Sequence, residues 1–151
     1  MNRTGKRSTP PFYQQETPDS CVPACLRMAL AGFGLYLDEA ELRALCDCTC
    51  LGTDALKAVD AARARGFAGS AKHTLSSAEL EEVLAQGHFP IVFVEMAAID
   101  QSRGQHAFVA LNLSPSTIEV YDPEQGQRIL PRETFEIGWS AARNLTILIS
   151  P

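Results

Sequence analysis

The sequence predicts an α+β fold in which helices come first and a mainly antiparallel sheet follows. Three observations carry this. Apolar residues recur at helical spacing up to Gly87, cap-forming residues stand at the start of each such run, and beyond Pro90 β-branched and apolar segments alternate with turn formers. Such a plan packs the helices against one face of the sheet.

Taken in order, Asp19 or Ser20 can cap a helix that opens near Cys21. Pro23 is tolerated in its first turn, where a missing N–H removes no intrahelical bond. Val22, Cys25, Leu26, Ala29, Leu30 and Phe33 give this helix an apolar surface that should be largely buried, and Gly32 and Gly34 offer a stop. Asp38 with Glu41 resembles a capping box for a short second helix that turns Leu42 and Leu45 inward, and Thr53 can cap a third reaching Arg65 before Gly66. Ser76 with Glu79 starts a fourth, whose apolar positions Leu80, Val83 and Leu84 end at Gly87. The segments Ile91–Met96, Ala107–Leu113, Thr117–Tyr121 and Leu145–Ile149 then read as strands.

Composition narrows the class. The 151 residues suit one domain, with residues 1–11 expected as a flexible tail and 12–151 as the folded unit. A net charge of −5 argues against a nucleic-acid binder, and the basic cluster Arg3, Lys6 and Arg7 sits in the tail. No apolar run approaches the roughly 20 residues that span a bilayer, and no hydrophobic secretory segment opens the chain, so a cytoplasmic protein without direct membrane insertion is expected. Five cysteines, an odd number, fit a reducing compartment better than a disulfide framework.

One set of residues points to chemistry. A nucleophilic cysteine must be a thiolate, and a free thiol titrates near about 8.5, so the site has to supply a helix N-terminus or a cation. Cys21 stands at the first of these. By itself such a cysteine reads more simply as a small buried hydrophobe. In Gly104-Gln105-His106-Ala107-Phe108-Val109, however, a histidine enters a strand. The turn at Ser114 and Pro115 folds Thr117–Tyr121 back, so that residues whose numbers sum to roughly 228–230 face each other. That register brings Asp122 beside His106, where a carboxylate would fix the imidazole tautomer and stabilise an imidazolium. The simpler readings are a core histidine bonded to backbone and a turn aspartate before Pro123; their apposition with a helix-start cysteine favours the nucleophile, base and orienter set. Gln15, six residues before Cys21, can lend an amide donor to an oxyanion hole beside the Cys21 N–H, with Gln14 as the alternative.

The run from Gln15 through Asp19, Cys21, Pro23 and Cys25 to Met28 resembles the opening of the bacteriocin-processing, double-glycine leader peptidases, a branch of the papain-like cysteine peptidases. Gly52-Thr53, Arg65-Gly66-Phe67, the Gly104 to Val109 block and Tyr121-Asp122-Pro123 look like that family's later blocks in the same order, and the resemblance covers nearly all of residues 12–149. It implies a papain-like fold, Gln15 as the oxyanion-hole glutamine, Cys21 as nucleophile, His106 as base and Asp122 as third member. It also implies an extended peptide substrate, a Gly-Gly-like leader end before the cut and association with a membrane exporter, and it implies no cofactor. Val22 departs from the glycine that the family usually carries after the nucleophile, which bears on the groove for the residues before the cut.

The same dyad would serve an amidase or acyltransferase, and a peptide-binding module with decayed catalysis is the reading from a different class. Cys46, Cys48 and Cys50 supply at most three zinc ligands, with His73 or His88 to complete a set, so a loop whose cysteines partly face the core is the simpler reading and no metal is expected. Cys25, one turn after Cys21, is expected to pack inward.

Overall fold

A computed structural model describes residues 8–49, 52–102 and 104–151. Helices α1 (Cys21–Ala31), α2 (Glu39–Leu45) and α3 (Ala55–Ala64) come first. They are followed by β1 (Ala71–Thr74), α4 (Ser77–Ala85), β2 (Ile91–Glu95), α5 (Ala97–Asp100), β3 (Gln105–Leu113), β4 (Thr117–Asp122), β5 (Gly126–Pro131), α6 (Arg132–Ala141) and β6 (Leu145–Leu148). The strands pair antiparallel throughout, in the order β1-β6-β2-β3-β4-β5. The tail's basic cluster at residues 3, 6 and 7 lies outside the described residues, whereas Pro10 is buried and its carbonyl accepts a 2.8 Å hydrogen bond from the Tyr121 hydroxyl.

Helix α1 buries every residue after Cys21 except Arg27, as its nearly continuous apolar sequence requires. It packs with α2, α3 and the alternate strand residues Ile91, Phe93, Ala107, Val109, Tyr121 and Ile147 into one core. The other sheet face carries Val92, Val94, Phe108, Ala110, Ile118 and Val120, and a second core forms there under Leu80 of α4 and Phe135 and Trp139 of α6. The sheet is thus covered on both faces, not one: a period-2 run such as Ile91–Val94, buried at every residue, needs apolar partners on each side. Helix α6 can lie close because Gly138 has no side chain, and a Cβ there would stand 3.0 Å from the Glu95 carbonyl oxygen.

Side-chain caps set the starts of two helices, α4 and α3. The α4 capping box is present, with the Ser76 hydroxyl accepting from the Glu79 N–H at 3.1 Å and the Glu79 carboxylate accepting from the Ser76 N–H at 2.9 Å. Helix α3 is capped by Asp54, not Thr53; the Asp54 carboxylate reaches the Leu56 N–H at 2.8 Å. Ser20 is the N-cap residue of α1, yet its side chain makes no cap bond. Its hydroxyl is spent on the preceding turn, accepting from the Thr17 N–H and donating to the Thr17 carbonyl, so the first-turn N–H groups at Cys21 are left uncovered by a side chain.

Candidate active site

One end of the sheet and the start of α1 meet at the site. Gly104, at φ +91°, makes the turn into β3, a backbone state that glycine adopts without strain, and its carbonyl accepts from the Met96 N–H at 3.0 Å. His106 follows at the mouth of β3, and Asp122 closes β4 in the neighbouring ladder. Val109 faces Tyr121 and Ala110 faces Val120, the expected register, which slips by one residue past a bulge between Ala110 and Asn112. Extending it puts Asp122 opposite Phe108 and diagonal to His106 on the same face.

The pair is bonded. His106 Nε2 lies 3.0 Å from Asp122 Oδ1, and the carboxylate is only 1% exposed. Oδ1 also accepts from the N–H groups of Glu124 at 2.9 Å and Gln125 at 3.3 Å, and Oδ2 accepts from Arg128 Nη1 at 2.9 Å. Burial pushes the Asp122 carboxyl up, but hydrogen bonds from His106, the Glu124 N–H and Arg128 outweigh it and hold the group below the usual carboxylate range. For His106, burial disfavours the imidazolium, whereas hydrogen bonds to Asp122 and to the Cys21 side chain, with their charges, raise its pKa to about 10. With Nε2 engaged by Asp122, Nδ1 is the ring nitrogen that faces the thiol. Cys21, His106 and Asp122 therefore come together, with Asp122 beside His106 where the hairpin register puts it.

Cys21 is partly exposed, and Cys25 is not. One turn on, Cys25 is fully buried, its thiol donates to the Ala107 carbonyl at 3.4 Å, and burial, then the charges of Cys21 and Asp122, push its pKa well above the ordinary thiol value. It is a core residue that ties α1 to β3. Val22 is 3% exposed and packs in the helix-side core, so it adds little bulk to the surface beside the thiol.

Gln15 approaches from the extended N-terminal segment. Its N–H donates to the Pro123 carbonyl at 2.8 Å, which fastens the segment to the turn after Asp122. Its side-chain Nε2 donates to the carbonyls of Thr17 at 2.8 Å and Pro18 at 3.2 Å, while Oε1 is buried without a partner. Gln14 Nε2 points the other way, to the Glu124 carbonyl at 3.4 Å. The segment is clamped from below by Glu39, a fully buried carboxylate that accepts from the Glu16 N–H at 3.0 Å and is bonded to Arg43. Glu16 in turn reaches Arg43 at 3.3 Å and Arg27 at 3.6 Å, and Arg27 lies over the Tyr13 ring, 3.9 Å from its centre.

Two residues of this site were not anticipated. Arg128 follows from alternation: Asp122 pairs with Gly126 across a tight turn, so the first side chain of β5 on the same face is two residues on. Glu39 carries no such signal, because an acidic residue in the first turn of a helix ordinarily faces solvent. Beside His106 a polar cleft of about 90 Å³ opens between Asp100, Gln105, Asp122 and Glu124.

The cysteine-rich loop stands apart from this chemistry. Cys46 is buried, and burial, with the charges of Cys48 and Asp47, pushes its pKa up to about 12. Cys48 is partly exposed, with its sulfur 3.6 Å from the Asp19 carbonyl, and Cys50 lies outside the described residues. His73 lies on β1 opposite Thr146. Among the described residues no group of three or more His, Cys, Asp or Glu side chains is placed to hold a metal ion, and no helix is long and apolar enough to cross a membrane.

Comparison with known proteins adds to this geometry. The model of the peptidase C39 family matches residues 9–151. The chain is 30% identical over 150 residues to the transport/processing ATP-binding protein ComA of Streptococcus pneumoniae, covering 97% of this chain and 19% of that protein. It thus spans about a fifth of that relative's length. Among solved structures, the peptidase domain of Streptococcus ComA, a bifunctional ABC transporter involved in quorum sensing, superposes with a TM-score of 0.78 at 26% identity, covering 92% of this chain and 96% of that one. A double-glycine-motif protease from an AMS/PCAT transporter, solved with its leader peptide, gives 0.76 at 20% identity, covering 97% and 94%. A C39-like peptidase of Bacillus anthracis also gives 0.76, at 16% identity over 93% and 94%. The last two bear on the fold alone.

Proposed function

The chain belongs to the peptidase C39 family and is a cysteine peptidase, and from that premise we propose that it cuts an extended peptide after a small-residue, Gly-Gly-like leader end, with Cys21 as nucleophile, His106 as base and Asp122 as orienter. The observation that carries the reading is the hydrogen-bonded His106–Asp122 pair, whose imidazole also reaches the thiol at the start of α1.

The mechanism follows from the parts. His106 holds the Cys21 proton, and the raised basicity of the ring favours a thiolate–imidazolium pair. The sulfur attacks the scissile carbonyl and a C–S bond forms. The oxyanion is held by the Cys21 N–H, which no side chain caps, and by Gln15 Nε2. Of that amide's two bonds, the longer and more exposed one to Pro18 is the one to be exchanged, since a charged acceptor binds the donor more strongly than a neutral carbonyl does. The C–N bond then breaks as His106 protonates the leaving amine. Water, deprotonated by His106, hydrolyses the thioester and restores the thiol. Throughout, Asp122 stays ionised and keeps Nε2–H directed at itself, which leaves Nδ1 for the proton transfers.

The substrate side rests on the kinship with exporter peptidase domains, which supports a leader peptide and an exporter partner for this chain as well. Incubation with synthetic precursors ending their leaders in Gly-Gly or Gly-Ala, followed by mass spectrometry, tests it. Wild type should release the leader with a free carboxyl end, and Cys21→Ala should bind the same peptide without cutting. Binding without cleavage by the wild type would favour a recognition module instead, and transfer of the leader to an acceptor other than water would make it an acyltransferase.

A further inference from the structure

We infer that Arg128 is a positioning residue for the Asp122–His106 pair, holding the carboxylate by its second oxygen while offsetting part of its charge. The inference rests on the catalytic reading of Cys21, His106 and Asp122. Asp122 is 1% exposed, so no bulk water solvates it, and the described structure supplies four donors: His106, two turn N–H groups and Arg128. Three of the four converge on Oδ1. Arg128 alone serves Oδ2, at 2.9 Å, and without it that oxygen would be a buried charged acceptor with no partner. A carboxylate so placed gains by turning partway, so that its unpartnered oxygen shares the donors on the other, and that turn weakens the bond that fixes the imidazole.

Arg128 is well seated for the task. It stands on β5 opposite Val120, its side chain is 21% exposed, and its guanidinium lies 3.9 Å from Asp100 Oδ2, which braces it from α5. Among the described residues, the ionisable groups around the pair are otherwise thiols and acids: Cys21 and Cys25 from α1, Asp100 from α5, and Glu124 from the turn. From β2 the residue opposite His106 is Val94, which carries no charge. Arg128 is thus, among the described residues, the cation bonded to a buried carboxylate that must stay ionised beside a thiolate. Its removal raises the pH at which Asp122 takes up its proton, and a protonated Asp122 no longer holds the imidazolium toward the thiol.

The test is the pH profile of Cys21 alkylation by iodoacetamide, read by mass spectrometry for wild type, Arg128→Gln, Arg128→Met and Arg128→Lys, each first checked for a cooperative melt. The acid limb of the profile should move up by about one pH unit in the neutral variants and return at least halfway to wild type in Arg128→Lys. A limb that stays in place in the folded neutral variants, or one that moves as far in Arg128→Lys, would overturn the role of Arg128. A wild-type Cys21 whose labelling ignores His106→Ala would instead overturn the catalytic reading, so the two failures are distinct.

Discussion

The sheet side of the site and the loop side are held by different means. His106 and Asp122 sit in adjoining strands whose ladder fixes their backbones, and both Asp122 oxygens are bonded. The segment from Gln15 to Cys21 is held instead by side chains: the Glu39 carboxylate beneath Glu16, the arginine pair above it, and the Ser20 hydroxyl folded back on Thr17. It retains an unbonded Gln15 Oε1 and an uncapped helix start. On the mechanism proposed above, the half that would handle protons is preorganised, and the half that would receive an oxyanion keeps the Cys21 N–H and the longer of the Gln15 amide bonds open to exchange.

The contrast is sharpened by substitutions that strike one half at a time. Asp122→Asn should have the largest effect, lowering kcat by about 10²-fold or more, because the amide presents the wrong donor pattern to the ring. Gln15→Ala should lower kcat about 10- to 100-fold with KM little changed, as expected for a contact made mainly in the transition state. If the glutamine variant lost more than the asparagine variant, the ranking of the halves would be reversed. Glu39→Gln should leave the chemistry of a bound substrate almost intact while costing about 1–3 kcal/mol in urea unfolding, since it strips a buried carboxylate from Arg43.

A stability measurement over pH probes the two halves together, because both Asp122 from the sheet side and Cys21 from the start of α1 raise the pKa of His106. The His106 value of about 10 is raised above the unfolded one near 6.5, so its stabilisation is complete below about pH 6.5 and is lost as the pH rises through 10. Asp122 is shifted the other way, so its stabilisation is present above about pH 4 and is lost as the pH falls through its lower folded value. Melting temperature should thus plateau between about pH 4 and 6.5 and decline on both sides, and Asp122→Asn should flatten both flanks.

What the sequence made legible follows the same division. The Ser76–Glu79 capping box, the four apolar strands and the β3–β4 register all rest on short-range patterns, and that register was enough to join Asp122 to His106. The edge strand β1, Ala-Lys-His-Thr, carries no apolar alternation and owes its form to pairing with β6. Strand β5, on the opposite edge, likewise shows no apolar alternation and buries only Leu130. Helix α6 opens after Pro131 with no side-chain cap, so its start has no local signature. Because α6 was not foreseen, neither was the second helical layer, although the unbroken apolar run Ile91–Val94 already points to one. Arg128 and Glu39 are legible only once partners from distant segments are in place.

The central claim is that Cys21 and His106 form one working pair, and the rate of iodoacetamide alkylation at each cysteine at about pH 6, with and without His106→Ala, tests it most directly. Rapid labelling of Cys21 that collapses in the histidine variant, with buried Cys25 and Cys46 slow in both proteins, is the predicted result. Slow labelling of Cys21, or labelling indifferent to His106, would contradict it.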